Sequence, residues 1–420
     1  MKQHATYARQ RLIERMENDS IAVFFSGNAQ HKTHDQYHTY APQRNFFYLT
    51  NLDEPDMVLM FHKREDVVKT TLFIERNNEL HAKWEGARME KDEASACSGI
   101  PVEDIRYLDG FEAAFNTLMN YARSNLSTPP DTLYLDLYHT GFNTTPAALS
   151  KARTIIKNYP ELRIANINKH LSMLRMVKTP YEIEKIRKAV AMTKKGLDTA
   201  MARLSERTHE YELAADLHHA IALEGSEGCA FETVVACGKN ATVLHYVTKR
   251  DVLEKGRLVL LDFGALHDNY AGDISRTYPV SGTFSPRQKE LYDIVLTVNK
   301  ETIAIIAPGM TWHELNAFVK RRLAEEAKRI GLIENEADIT RYYYHSIGHF
   351  LGLDVHDVGI NHIPFEPGMV LTVEPGLYVA EEGIGIRIED DILVTEDGAE
   401  NLSEDILKET ADIEQALKGL

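Results

Sequence analysis

Cysteine is scarce in this sequence, which has only Cys97, Cys229 and Cys237 among 420 residues. Their number is odd and no two have C-x-x-C spacing, so a disulfide framework is excluded and we expect reduced thiols. The chain also lacks an apolar signal-peptide core near its N-terminus and any run of about 18 apolar residues. These absences predict a cytoplasmic protein with no membrane partner.

Positive charge is also in deficit. Lys and Arg number 47 against 63 Asp and Glu, which gives a net charge of −16. Nucleic acids and anionic membranes attract clustered Lys and Arg, so we expect neither as a partner. Apolar residues make up 44% of the chain, which is enough for folded cores, and 420 residues exceed one ordinary core. We therefore predict two domains.

The first part of the chain alternates short apolar runs with helical patterns, which predicts a small α/β domain. We interpret as strands the runs at 21–25, 46–50, 57–61, 70–75 and 132–137, and the helical candidates are 112–123 and 146–157. A strong helix start follows, with Thr179 as N-cap, Pro180 at the first helical position and Glu182 at the third. We place the N-terminal domain at 1–172 and the second domain at 173–420.

The second domain shows an approximate internal repeat of helix, helix and hairpin. The capping pattern recurs at 285–288 and 311–314, which predicts helices that run to about Ala307 and Ile330. Helices over 180–207 and 211–224 precede one hairpin, and the second helix pair precedes another.

The first hairpin, at 257–279, carries Asp262 and Asp273 among apolar strand residues. If the chain reverses between His267 and Asp268, the two aspartates lie directly opposite each other, about 4.5–5.5 Å apart at Cβ. Like charges this close repel unless a cation lies between them.

The second hairpin, at 369–395, repeats this pattern with Glu374 and Glu389. A reversal between Glu381 and Glu382 again places the two acids opposite each other. Between the hairpins lies the sequence HSIGHFLGLDVHD, which contains three histidines at positions 345, 349 and 356.

Four carboxylates and one imidazole predict a site for two divalent cations, with one acid of each pair bridging them. The ligands are mostly oxygen with a single nitrogen, so the set favours Mn²⁺, with Co²⁺ or Zn²⁺ as alternatives.

The five candidate ligands lie in the motifs LLDFGA, AGDISRTYPV, SIGHFLGLDVHD, LTVEPGLYV and GIGIRIEDDILVT. In these contexts they resemble the pita-bread metallopeptidases, and among them aminopeptidase P and prolidase. The resemblance covers about 175–398. The segments RNFFYLTNLDEPD and Trp84–Arg88 are similar to the N-terminal domain of that family. The resemblance implies an α+β pita-bread catalytic domain with a pseudo-twofold repeat, preceded by a smaller α/β domain.

The resemblance also implies a ligand set. Asp262 would chelate one metal, His349 and Glu374 the other, and Asp273 and Glu389 would bridge the two. A solvent molecule bridging the metals would be the nucleophile, with Glu374 as the general base.

Three further residues match family positions near the substrate. His245 would stabilise the oxyanion, His356 would be a second histidine facing the substrate, and Arg387 would support the active-site carboxylates. His345, four residues before His349, fits a role behind the ligands or in packing better than a direct role in catalysis.

The implied substrate is a peptide with proline in second position. Several prolidases place an arginine just before the PGMVLTVEPG motif to bind the prolyl carboxylate, and 361–366 contains none here. This favours aminopeptidase P over Xaa-Pro dipeptidase. A non-catalytic peptide-binding protein on the same fold is the alternative from another class. The resemblance further suggests a homodimer or homotetramer, in which Trp84 narrows the entrance of a site.

Overall fold

The computed structural model describes residues 2–65, 67–120 and 129–418. The chain divides into two compact units, Met1–Leu174 and Arg175–Leu420. None of the described helices is long and apolar enough to cross a membrane.

The N-terminal unit is built on a mixed six-stranded sheet with the order β6-β5-β4-β1-β7-β8. β1 runs parallel to β7 and antiparallel to β4, so the sheet changes direction beside its first strand. A separate exposed pair, β2 and β3, contains His31. The eight strands are β1 Ser20–Phe25, β2 His31–Thr33, β3 Gln36–Tyr37, β4 Val58–Arg64, β5 Val67–Ile74, β6 Ile105–Tyr107, β7 Thr132–Leu135 and β8 Arg163–Asn166.

Helices flank this sheet, and its core is apolar, with Phe73, Phe115 and Leu133 buried in one cluster. The helices up to the end of this unit are α1 Lys2–Ile13, α2 Arg44–Thr50, α3 Glu79–Glu85, α4 Lys91–Ser98, α5 Phe111–Met119, α6 Ala147–Lys151, α7 Arg153–Asn158 and α8 Asn168–Met176.

Three predicted elements of this unit differ from the structure or extend beyond the described residues. The apolar run at 46–50 is not a strand but most of α2, and a run this short cannot distinguish the two by periodicity. The helix predicted at 112–123 is α5, which ends at Met119, and positions 121–123 lie outside the described residues. The helix predicted at 146–157 is divided at Ala152 into α6 and α7.

The C-terminal unit begins its long helices at the predicted caps. Thr179, Ser285 and Thr311 each form a capping box with the residue three positions later, which confirms these helix starts. The helices are α9 Pro180–Arg203, α10 Glu210–Leu223, α11 Pro286–Ile305, α12 Trp312–Arg329 and α13 Thr410–Lys418. The strands are β9 Val234–Cys237, β10 Leu258–Phe263, β11 Leu266–His267, β12 Tyr270–Ala271, β13 Ile274–Pro279, β14 Val370–Val373, β15 Gly376–Val379, β16 Ile384–Arg387, β17 Asp390–Val394 and β18 Ala399–Asn401.

The predicted register of the first hairpin is wrong. Asp262 pairs with Ser275 and not with Asp273, because the chain reverses at Asp268 and Asn269. Both turn residues have positive φ, 49° and 65°, which Asp and Asn tolerate and which type I′ hairpins need. Because the shift is two residues, the side chains keep their face, and both aspartates line the same cavity.

The predicted register of the second hairpin is confirmed. β14 pairs with β17 so that Val373 lies opposite Asp390, and β15 pairs with β16 so that Gly376 lies opposite Arg387. In this register Glu374 and Glu389 fall opposite each other in the gap between the two ladders.

Both hairpins are interrupted where they carry acids. β12 ends at Ala271 and β13 starts at Ile274, which leaves Asp273 outside the ladder, and Glu374 and Glu389 lie in the corresponding gap of the second hairpin. Buried Asn299 of α11 donates to the carbonyls on both sides of that gap, each at 3.3 Å. The interruptions free these three acids to face the cavity.

Gly264→Ala should destabilise the C-terminal unit, because the added Cβ would lie 1.8 Å from the carbonyl oxygen of Gly272. The backbone must move, and overpacking a buried site costs roughly 1–3 kcal/mol. We expect a lower midpoint of urea unfolding, followed by circular dichroism. Gly398→Ala is the control, because its added Cβ has no heavy atom within 4 Å. Equal midpoints for the two variants would contradict this packing.

Candidate metal centre

The two hairpins meet edge to edge and bring their acids into one site. The backbone N–H of Glu389 donates to the Ser275 carbonyl at 3.0 Å, and the Thr277 hydroxyl donates to the Arg387 carbonyl at 3.2 Å. These bonds fix β13 against the start of β17. The acidic residues of the first hairpin therefore face those of the second.

His349 comes from the loop before β14 and points into the same site. Its backbone N–H donates to the Thr372 hydroxyl at 3.1 Å, and its carbonyl accepts from the Thr372 N–H at 2.9 Å. The ring Nδ1 lies 3.0 Å from the Phe350 carbonyl, so Nδ1 carries the proton of the neutral imidazole. The Nε2 lone pair is thereby left for a ligand.

Three of the predicted ligands lie close enough together to contact one cation. Ligand atoms of Asp273, His349 and Glu389 all lie within 4.8 Å. His349 Nε2 is 3.4 Å from Asp273 Oδ2 and 3.9 Å from Glu374 Oε1. The structure thus places Glu374 next to this group of three.

Asp262, the fifth predicted ligand, is fixed by an ion pair with Arg387. Arg387 Nη2 donates to its Oδ2 at 2.6 Å, whereas its Oδ1 is buried and has no partner among the described residues. A buried carboxylate oxygen without a donor is costly in free energy. The free Oδ1 therefore fits a cation.

Arg387 links both acidic pairs. Besides Asp262, its Nε donates to the Ser275 hydroxyl at 2.7 Å, and that hydroxyl donates to Glu389 Oε2 at 2.8 Å. Its Nη1 donates to the Tyr378 hydroxyl at 3.2 Å. Arg387 therefore contacts Asp262 directly and reaches Glu389 through Ser275.

The environment of the site disfavours the ionised form of its carboxyl groups. Burial, reinforced by the charge of Asp262, raises the pKa of Asp273 to about 6. Burial also raises the pKa of Glu374 to about 7, and burial with the charges of Asp273 and Glu374 raises the pKa of Glu389 well above its usual range. One arginine is too little positive charge for four buried acids. This donor set fits two divalent cations.

The same negative charges favour the charged form of His349, whereas they disfavour the charged forms of the acids. Burial lowers its pKa, but the hydrogen bond to Asp273 and the charges of Asp273 and Glu374 outweigh burial and raise the pKa to about 9. A proton on Nε2 therefore occupies the place in which a cation would be bound.

The site opens into a cavity of about 640 Å³. His245 and His356 line this cavity together with Phe231 and Val355. The His356 ring centroid lies 4.2 Å from that of His349, and burial and the charge of His349 lower the pKa of His356 to about 4. His356 is therefore neutral at pH 7.

His345 lies beside Glu374 and also lines the cavity. Its Nδ1 is 2.7 Å from the Ser346 carbonyl and 3.7 Å from Glu374 Oε2, and its Nε2 is 2.8 Å from the Tyr378 hydroxyl. The carbonyl accepts the Nδ1 proton, so Nε2 accepts from Tyr378. His345 thus supports the site through this buried tyrosine.

Sequence reasoning missed Ser275, Tyr378 and Asp391. Asp391 is fully buried, and its Oδ2 accepts the backbone N–H of Asp273 at 3.0 Å. The alternation of strand residues could have indicated Ser275, which lies on the opposite arm from Asp262. Tyr378 carried no signal, because a tyrosine in a strand usually only packs.

Two family models match the chain. The model of metallopeptidase family M24 matches 184–396, which contains every candidate ligand. The model of the aminopeptidase P N-terminal domain matches 6–127.

Similar proteins extend over nearly the whole chain. The Xaa-Pro aminopeptidase of Escherichia coli is 32% identical over 97% of this chain and 95% of its own length. Human Xaa-Pro aminopeptidase 3 is 29% identical and covers 94% of this chain and 80% of itself.

Solved structures show the same likeness. One from Bacillus anthracis, provisionally classed as an aminopeptidase P, has a TM-score of 0.95 at 42% identity. Escherichia coli aminopeptidase P with the inhibitor Pro-Leu has a TM-score of 0.89 at 29% identity. Each alignment covers 100% of this chain and 98% of the solved one.

In the metal-free protein, the stability contributed by Asp273, Glu374 and His349 should fall as pH rises from about 4 to about 9. Asp273 and Glu374, with pKa values of about 6 and about 7, keep protons that the unfolded chain has already released. The stabilising charge on His349 is lost as pH rises through its folded pKa of about 9. Bound cations replace these protons, so metal should stabilise the protein most at high pH.

Thermal unfolding midpoints measured with Mn²⁺ and with EDTA, at about pH 5 and about pH 8.5, test this expectation. The increase in midpoint caused by metal should be larger at the higher pH. An increase of the same size at both pH values would contradict it.

Proposed function

The chain belongs to metallopeptidase family M24, and on that basis we propose that it is a metal-dependent Xaa-Pro aminopeptidase. It releases the first residue of peptides whose second residue is proline. The observation that carries this function is the convergence of two acidic hairpins and His349 Nε2 on one cavity. The family and its α+β pita-bread fold, with an aminopeptidase P-type N-terminal domain, confirm the predicted resemblance.

We assign five side chains to two divalent cations. Asp262 would hold one cation, His349 and Glu374 would hold the other, and Asp273 and Glu389 would contribute to both. The unpartnered Oδ1 of Asp262 and the free Nε2 of His349 support this assignment. When bound, two such cations lower the pKa of a shared water from 15.7 toward about 7, which makes it a nucleophile at neutral pH.

Glu374 is the proposed general base. Its side chain is 17% exposed and lines the cavity, so it can take a proton from the water and return it to the leaving nitrogen. His345, fixed by Tyr378 and the Ser346 carbonyl, lies 3.7 Å from Glu374 Oε2 and limits the movement of Glu374 on that side.

Two histidines act on the substrate. His245 stands on a loop over the cavity, where an N–H donor stabilises the negative oxygen that develops on the scissile carbonyl. Neutral His356, which lines the same cavity, orients the peptide. Arg387 holds Asp262 directly and Glu389 through Ser275, which keeps both acids in place during turnover.

Proline specificity follows from the chemistry of the bond. An Xaa-Pro amide has no N–H, so the site must recognise the ring instead of a backbone donor. The segment 361–366 offers no arginine to a prolyl carboxylate, which supports a longer peptide over the dipeptide of a prolidase.

The metal, assembly and compartment are further parts of the proposal. The mainly oxygen ligands favour Mn²⁺, with Co²⁺ or Zn²⁺ as alternatives. Trp84 is 82% exposed on α3, which supports a homodimer or homotetramer that covers it. The three cysteines are unpaired, which supports the reducing cytoplasm.

Asp273→Asn should empty both metal positions, because a bridging carboxylate contributes to both. We expect bound Mn²⁺, measured by elemental analysis after gel filtration, to fall from two per chain to well below one, with loss of peptide cleavage. Glu396→Gln, at an exposed acid, should retain two metals and full activity. A variant that keeps one tightly bound metal would contradict the bridging role.

Xaa-Pro-Yaa peptides should be cleaved with kcat/KM at least about tenfold above that for the matching Xaa-Pro dipeptides, the equivalent of one ~1.4 kcal/mol contact. Product release followed by chromatography measures both rates. Preferential cleavage of dipeptides would identify a prolidase. If neither is cleaved in Mn²⁺, the enzymatic function is wrong.

A further inference from the structure

The loop that carries His245 is held at its ends rather than at the histidine. It follows β9, starts with the 3-10 helix Gly238–Thr242 and returns at Asp251. The His245 side chain is exposed and forms no hydrogen bond with any described residue. Its position over the cavity therefore depends on whatever fixes the surrounding backbone.

Glu210, the first residue of α10, makes contacts along this whole loop. Its Oε1 accepts the Cys237 N–H at 2.8 Å and the Asn240 side-chain N–H at 3.0 Å. Its Oε2 accepts the Tyr246 hydroxyl at 2.9 Å and the Asp251 N–H at 3.1 Å. Four donors from the start, middle and end of the loop thus converge on one carboxylate.

The backbone of the same residue closes the loop. The Glu210 N–H donates to the Asp251 carbonyl at 3.0 Å, and the Asn240 side chain also donates to Asp251 Oδ2 at 2.8 Å. Lys249 ties the returning segment of the loop to the Thr233 carbonyl at 3.0 Å.

The chemistry at this position requires a side chain that accepts hydrogen bonds through both of its polar atoms. Glu210 is 0% exposed, and a buried carboxylate with four donors around it can only accept hydrogen bonds. Glutamine would present an amide N–H₂ to donors and leave at least one pair unsatisfied. Burial and the Glu210 hydrogen bond raise the pKa of Tyr246 to about 12, so its hydroxyl stays a donor.

We propose that Glu210 is a positioning residue for the peptidase reaction, which sets His245 against the scissile carbonyl by holding the loop at both ends and beside the histidine. The inference rests on the proposed function. Glu210 itself touches neither substrate nor metal ligand, so its effect passes through His245.

Substitution of Glu210 should therefore lower kcat more than it raises KM. Misplacement of a catalytic group by about 1 Å can cost roughly 100-fold, so we expect Glu210→Gln to lower kcat roughly 10- to 100-fold. Tyr246→Phe, which removes only the bond beside His245, should lower kcat by a smaller factor. Both variants should keep two Mn²⁺ per chain.

A double-mutant cycle with His245→Ala separates positioning from general damage. In the His245→Ala background, Glu210→Gln should change kcat less than about twofold, because the group that it positions is already gone. An equal loss in both backgrounds would overturn the proposal. If Glu210→Gln does not fold, the same cycle with Tyr246→Phe decides by the same criterion.

Glu212→Gln is the matched control, since Glu212 lies in the same helical turn and accepts backbone N–H groups from Thr208 and His209 outside the loop. It should leave kcat unchanged. Wild-type turnover of an Xaa-Pro-Yaa peptide tests the proposed function separately: no turnover refutes the peptidase, whereas turnover unaffected by Glu210→Gln refutes only the positioning role.

Discussion

Repulsion among four buried carboxylates is the constraint on which the catalytic unit depends. Burial alone disfavours each anion, and each neighbour disfavours it further, so Asp273, Glu374 and Glu389 all have raised pKa values. Arg387 compensates for Asp262, and protonated His349 compensates in part for Asp273. The remaining charge requires either protons or metal cations, and only cations also serve the chemistry.

A site under this repulsion needs a rigid frame. The acids are fixed by strand pairing on one side and by bonds between the hairpins on the other, and Asn299 fills the gap that the interrupted ladder leaves. Arg276, which is fully buried, donates to the Glu389 carbonyl and pairs with Asp390. The frame therefore opposes separation of the acids, the movement that would relieve the repulsion most directly.

The sequence singled out the acids that line the cavity, because an acid inside an apolar strand is anomalous on its own. It predicted registers less reliably. The type I′ turn at Asp268 and Asn269 sets a strand register that differs by two residues from the predicted one. Because side chains alternate with a period of two, both aspartates still face the cavity. Ser275, Tyr378 and Glu210 were missed for another reason. A polar residue in a strand or at a helix start is ordinary, and its role depends on partners distant in sequence.

The two hairpins are similar in design but not equivalent in their ligands. Asp262 lies within β10 and is neutralised by Arg387, whereas Glu374 lies in a gap of the ladder and faces His349. In the proposed assignment, one cation is therefore bound by carboxylates alone and the other also by an imidazole nitrogen. Nitrogen ligands favour later transition metals, so under this assignment the two positions would differ in affinity and selectivity. The pseudo-twofold fold would then place two metal positions side by side, and His349 would make them chemically distinct.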